Sequence, residues 1–135
     1  MSLQYSVSVR NAQLDALETT VGTSAVLKIR SGSVPATCAT ADSGTVLATM
    51  TLPSDWLAAA SSGSKAKSGT WSDSSADATG TAGHFRIYAS DGTTCHAQGT
   101  VTATGGGGDM TLDNTSIASG QAVSISTFTI TAGNA

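Results

Sequence analysis

Hydrophobic and polar positions alternate along most of this chain, and the period changes only near the start. In residues 1–9, Leu3, Tyr5, Val7 and Val9 fall on one face, with Ser and Gln between them. That period of two predicts an extended N-terminal arm or edge strand over residues 1–10. The period then lengthens. Asn11 is the expected N-cap, Leu14, Leu17 and Val21 recur at helical spacing, and Gly22 ends the run. One short helix over 11–20 is predicted.

Strand signals dominate from there. SAVLKIRSG reads as a strand ending at Gly32, and SVPATCATADSG as a loop. TVLATMTL alternates, with Val46, Ala48, Met50 and Leu52 on one face, until Pro53 stops it. SDWLAAA is expected to make one helical turn capped by Ser54. The Ser-, Gly- and Asp-rich stretch from Ser61 to Gly83 predicts a long surface excursion with one short strand around Trp71. HFRIYASDGTTCHAQGTV is the clearest hairpin, with Asp91-Gly92 expected to supply the positive φ angles of its turn. DMTLDN reads as a short strand and SIASGQ as a turn. AVSISTFTITAG reads as one long strand whose parity switches near Ser126–Phe128, the mark of a bulge or of burial on both faces. The resulting expectation is an all-β fold: a compact β-sandwich or jelly roll of seven or eight short strands with one short N-terminal helix, forming a single domain over residues 1–135.

Composition narrows the function classes. About 30 per cent of the chain is Ser or Thr, far above ordinary usage. Charged residues are 11% and the net charge is −3. The six basic residues, Arg10, Lys28, Arg30, Lys65, Lys67 and Arg86, form no run. Nucleic-acid binding needs a clustered positive surface, so it is not expected. No apolar stretch approaches the roughly 20 residues of a spanning helix, so no membrane partner is expected. The opening MSLQYSVSVR has no charged start followed by an apolar core, so a secretory signal is not expected.

The chemistry-bearing motifs are few. Gly105, Gly106, Gly107 and Gly108 are followed by Asp109 and Met110. A phosphate-binding loop needs a Lys and a hydroxyl there, and an acidic side chain would repel the phosphate. The tract is instead expected to let backbones approach closely. Ser62 and Ser64 each precede a lysine at Ser-x-x-Lys spacing, but in an exposed, glycine-broken loop unlike the buried helix of a serine acyl-enzyme. His96 adjoins Cys95 and must point to the opposite face of its strand, which disfavours a shared metal site. His84 and His96 are expected at solvent or an interface. Asp73 and Asp77 are expected to be solvated loop carboxylates, and Trp56 and Trp71 core plugs. Cys38 and Cys95 leave two readings open: two small buried residues, or one bridge between distant strands. A bridge would suit a protein made in the cytosol and used outside the cell. No catalytic residue, cofactor or metal is expected.

Three segments carry a family resemblance: YSVSVRNAQLDALETTVGTSAVLKIRSG, SADATGTAGHFRIYASDGTTCHAQGTV and GGGGDMTLDNTSIASGQAVSISTFTITAGN. The resemblance is to small tailed-bacteriophage virion structural proteins and covers essentially the whole chain, with these segments carrying it. The resemblance implies a non-enzymatic capsid decoration, or cement, protein on the capsid exterior, synthesised in the host cytoplasm. It implies the major capsid protein as partner and self-association as a homotrimer. A tail- or fibre-associated module touching a host glycan or another tail protein is the alternative. Leu3, Tyr5, Val7 and Val9, as an arm that adds a strand to a neighbour's sheet edge, and Gly105–Gly108 are the expected subunit-interface residues.

Overall fold

A computed structural model describes residues 2–135; Met1, the first residue of the expected arm, lies outside the described residues. The protein is all-β with a single N-terminal helix. The elements are α1 (Val7–Val21), β1 (Val26–Ser31), β2 (Val46–Thr51), β3 (Ser64–Ala66), β4 (Trp71–Asp73), β5 (Gly80–Tyr88), β6 (Cys95–Ala103), β7 (Met110–Leu112), β8 (Ser116–Ile117), β9 (Val123–Ile125) and β10 (Thr129–Thr131). The main sheet runs β2-β1-β5-β6-β7, with β8 paired to the start of β5. Two small ribbons, β3–β10 and β4–β9, complete the fold.

The helix begins earlier than its hydrophobic period does. Ser6 is the N-cap, and its hydroxyl accepts the Val9 N–H at 3.2 Å. That local bond satisfies an otherwise orphaned donor. Val7–Arg10 are therefore helical, which corrects the expected arm: of its described residues only Ser2–Ser6 lack helical geometry. Asn11 does not cap; its Oδ1 accepts the Gly63 N–H at 2.9 Å. Gly22, at φ 90°, ends the helix and returns its N–H to Glu18 O.

One face of the sheet is apolar. The antiparallel registers align Met50 and Ala48 of β2, Leu27 and Ile29 of β1, Ile87 and Phe85 of β5, and Ala97 and Gly99 of β6. A run of rings covers this face. Phe85 meets Phe128 edge-on at 5.6 Å between centroids, Phe128 meets Trp71 at 5.6 Å, and Trp71 meets Trp56 at 5.9 Å. These are favoured separations for tilted and T-shaped pairs. Trp56 and Trp71 are buried core plugs, as expected. Each indole N–H finds a carbonyl, Gly22 O for Trp56 and Ser68 O for Trp71, both at 3.1 Å.

Phe128 also explains the parity switch. Residues 123–131 form two short strands in different ribbons, because β9 pairs with β4 while β10 pairs with β3. Phe128 lies in the break and turns into the core. Two further expectations are corrected. Ser54–Ala60 makes no helical turn; Leu57 bridges Lys67, and a loop satisfies this backbone instead. The Ser61–Gly83 excursion contains β3, β4 and the first residues of β5. The turn at Asp91 is also different. Gly92 has positive φ, whereas Asp91 holds the loop by accepting the Thr93 and Thr94 N–H groups. Those bonds, led by the Thr94 hydroxyl, hold its carboxyl well below the ordinary range.

The edge strand β2 is closed by Asp73 and Asp77. On β2, Thr49 N–H donates to Asp73 Oδ2 at 2.9 Å, and Leu47 O accepts the Asp77 N–H at 2.8 Å. Asp77 also accepts the Thr49 hydroxyl at 2.7 Å. The two carboxylates thus shield an edge that would otherwise template strand pairing.

Replacing Phe128 by Ala removes the ring joining the sheet to the ribbons. We expect a loss of about 3 kcal/mol in urea unfolding followed by tryptophan fluorescence. An unchanged midpoint would show that Phe128 does not couple the two layers.

Candidate functional site

Three places gather side chains that packing of the apolar core does not account for. The first is the N-terminal segment. Leu3, Val7 and Val9 are 67%, 50% and 44% exposed and are the exposed large hydrophobics among the described residues. Tyr5 is half-buried, and its N–H donates to Asn134 O at 2.7 Å, so the segment is held against the C-terminus. Farther along α1, Arg10 donates through Nε and Nη2 to Ala132 O. Lys65 of β3, itself buried, bridges Asp15 at 2.8 Å and Glu18 at 2.9 Å. These bonds fix the helix on the β3–β10 ribbon, and its first turn presents Val7 and Val9 outward.

The second place is the opposite face of the main sheet. The registers that align the apolar residues put Lys28, Arg30, His84, Arg86, Tyr88 and Gln98 on the other side. The 33–44 loop folds over this face and offers Asp42. Arg30 Nη2 reaches Asp42 Oδ2 at 3.0 Å, and Arg86 Nη1 reaches Asp42 Oδ1 at 2.7 Å. The Tyr88 hydroxyl donates to the same Oδ1 at 2.7 Å. Arg86 also donates to Thr37 O, Thr40 O and Gln98 Oε1, and Gln98 donates to Pro35 O. Its guanidinium, 2% exposed, is thereby satisfied on every nitrogen. Burial alone would raise the Asp42 carboxyl; the Tyr88 and Arg86 hydrogen bonds and the two guanidinium charges outweigh it and hold the carboxyl below its ordinary value.

His84, expected at solvent or an interface, is fully buried. Its Nδ1 lies 3.0 Å from Gly32 O, and its Nε2 has no partner. The alternation that turns Phe85 to the core turns His84 under the Gly32 backbone. His96 is exposed.

At the rim of the loop stand the two cysteines. Cys38 and Cys95 lie 57 positions apart in sequence, yet their sulfurs are 2.6 Å apart, and both side chains are partly exposed thiols. Burial, with the hydrogen bond and charge of Cys38, pushes the Cys95 thiol up to about 12.

The third place is the glycine tract. β6 and β7 are parallel, with Val101 opposite Met110, yet only residues 104–109 connect them. Parallel neighbours ordinarily need a crossover of a dozen or more residues. Here the chain doubles back on itself. Gly105 and Gly107 take φ of 87° and 80°, and a Cβ on Gly106 or Gly108 would meet the Thr102 side chain at 2.8 Å. Gly108 N–H donates to Thr102 Oγ1 at 3.0 Å. Gly105, Gly106 and Gly107 are exposed. The tract sits on the β6–β7 corner and the expected arm beside the C-terminus, so the two sets of expected interface residues lie on different elements.

The remaining motifs find structural partners. Ser62 takes positive φ in the turn before β3, and Lys65 is engaged by Asp15 and Glu18 rather than by a serine. A groove of about 280 Å³ opens beside β6, lined by Leu17, Phe85, Ile87, Ala97, Phe128 and Ile130. Comparison with known proteins finds no match, whether by family model, by curated sequence or by solved structure.

The sequence reading missed the Asp42 cluster. Its signal was present in the alternation of Lys28 and Arg30 with Leu27 and Ile29, and of Arg86 and Tyr88 with Phe85 and Ile87. Basic residues between apolar strand positions read as a solvated face unless something covers them.

Asp42 contributes stability that is present above the ordinary carboxylate value and lost as pH falls through its lowered one. The unfolding midpoint should therefore drop on acidification below about pH 4. Asp42→Asn leaves two buried guanidiniums without a counter-charge. At neutral pH it should cost about 2 kcal/mol, less than a fully buried pair because Asp42 is 39% exposed. It should also flatten the acid limb, read by thermal melts across pH; an acid limb identical to wild type would remove Asp42 from this role.

Proposed function

We propose that this chain is a structural protein of a tailed-bacteriophage virion, a capsid decoration protein that binds neighbouring major capsid subunits. The observation that carries the reading is the concentration of exposed apolar side chains, Leu3, Val7 and Val9, on one N-terminal segment. Single exposed apolar residues are ordinary; here three fall within seven residues, Leu3 ahead of the helix and Val7 and Val9 on different sides of its first turn, which offers a partner apolar contact around that turn. The segment is held at its base by Tyr5, Arg10 and the C-terminal backbone, so little ordering cost attaches to docking it.

The resemblance to small phage virion proteins supports the same reading. Small contacts of this kind gain strength when several are engaged together. As a homotrimer the protein would present three N-terminal segments, and the second and third engagements would benefit from effective concentration. The hydroxyl-rich, weakly charged surface suits dense packing on a shell without charge repulsion between copies. No chemical transformation is part of this role.

Quantitative mass spectrometry of purified particles tests the assignment. Hundreds of copies per particle are expected; a handful, in multiples of three or six, would place the chain in the tail instead. The triple change Leu3→Ser, Val7→Ser and Val9→Ser should lower particle loading at least tenfold, about 1.4 kcal/mol, with little change in melting temperature because all three side chains are exposed. Loading equal to wild type would exclude the N-terminal segment as the docking element.

A further inference from the structure

We infer that Cys38 and Cys95 form a reversible disulfide that locks the 33–44 loop over the cationic face of the sheet. The two sulfurs already touch, at 2.6 Å, and both side chains are reachable from solvent. Cys38 sits between exposed Thr37 and Ala39 in the loop, and Cys95 is the first residue of β6. Polar bonds hold the loop to the face it covers: Asp42 to Arg30, Arg86 and Tyr88, and the Thr37, Thr40 and Pro35 carbonyls to Arg86 and Gln98. A covalent link at its middle would hold the loop whether or not Asp42 is ionised.

The chemistry is thiol–disulfide exchange with a small disulfide such as oxidised glutathione. The thiolate of one cysteine attacks a glutathione sulfur, forming a mixed disulfide and releasing one glutathione thiolate. When Cys38 carries the mixed disulfide its opposing hydrogen bond and charge are gone, and Cys95 gives up its proton to solvent, attacks the Cys38 sulfur and releases the other glutathione as thiolate. Overall the two cysteines lose two electrons and two protons, and one oxidised glutathione becomes two reduced ones. The reaction reverses in a reducing compartment, so the loop is unlocked where thiols are kept reduced and locked where they are not.

The test uses the full chain in glutathione buffers of graded redox poise. In oxidising buffer we expect an intact mass about 2 Da below the reduced form, and no uptake of an alkylating reagent until reductant is added. A proteolytic digest should contain one peptide pair joining Cys38 to Cys95. Oxidation should raise the melting temperature by about 10 °C, since the bond closes a long loop of the unfolded chain. It should also slow amide exchange across residues 33–44. Cys38→Ser and Cys95→Ser should melt like the reduced wild type in reductant and show no rise on oxidation. Two alkylatable thiols in oxidising buffer, or a glutathione adduct retained on each cysteine, would overturn the inference. So would a bond that forms without slowing exchange in the loop. None of these readings involves a virion, so they stand or fall apart from the proposed function.

Discussion

Residues 84–88 are all buried, and strand geometry sends them alternately to opposite faces of one sheet. That constraint organises the protein. Phe85 and Ile87 require an apolar cover, which the Phe128–Trp71–Trp56 run, α1 and the two ribbons provide. Arg86 and Tyr88 require a polar cover, which the 33–44 loop provides through Asp42 and its own carbonyls, while His84 lies against Gly32 O just before that loop. A sheet with one face in water would need neither the loop nor the second set of bonds.

The two covers differ in kind. The apolar side is assembled from distant segments and held by burial, which is non-directional and additive over area. The polar side depends on geometry. One carboxylate serves two guanidiniums and a phenol, so its bonds act as a unit rather than as separate contacts. Protonation of Asp42 therefore weakens the loop side, and the cysteine pair stands where a covalent link would oppose that.

Function, as proposed, uses neither face. The docking element lies at the chain's beginning, where the Ser6 cap turns the expected extended arm into the first turn of a helix. That turn is held in place by Arg10 on Ala132 O, Asn11 on Gly63 N–H and Lys65 on Asp15 and Glu18. In the proposed role a helical turn stands where the expected arm would have added a strand to a neighbour's sheet edge.

Local period alone determined the all-β character, β1, β2, the β5–β6 hairpin and the existence of one helix. Each of these depends on a period readable within about ten residues. The tryptophans' place in the core followed from the scarcity of aromatics. What only the tertiary structure decided was every feature whose cause lies far away in the chain. The 123–131 segment splits because its halves pair with β4 and β3. Four glycines are needed because β7 lies parallel to β6 and beside it. Arg86 is buried because a loop some 45 residues earlier in the chain crosses it. Hydrophobic period reports which face a side chain takes; what covers that face is set by long-range pairing, which the period does not encode.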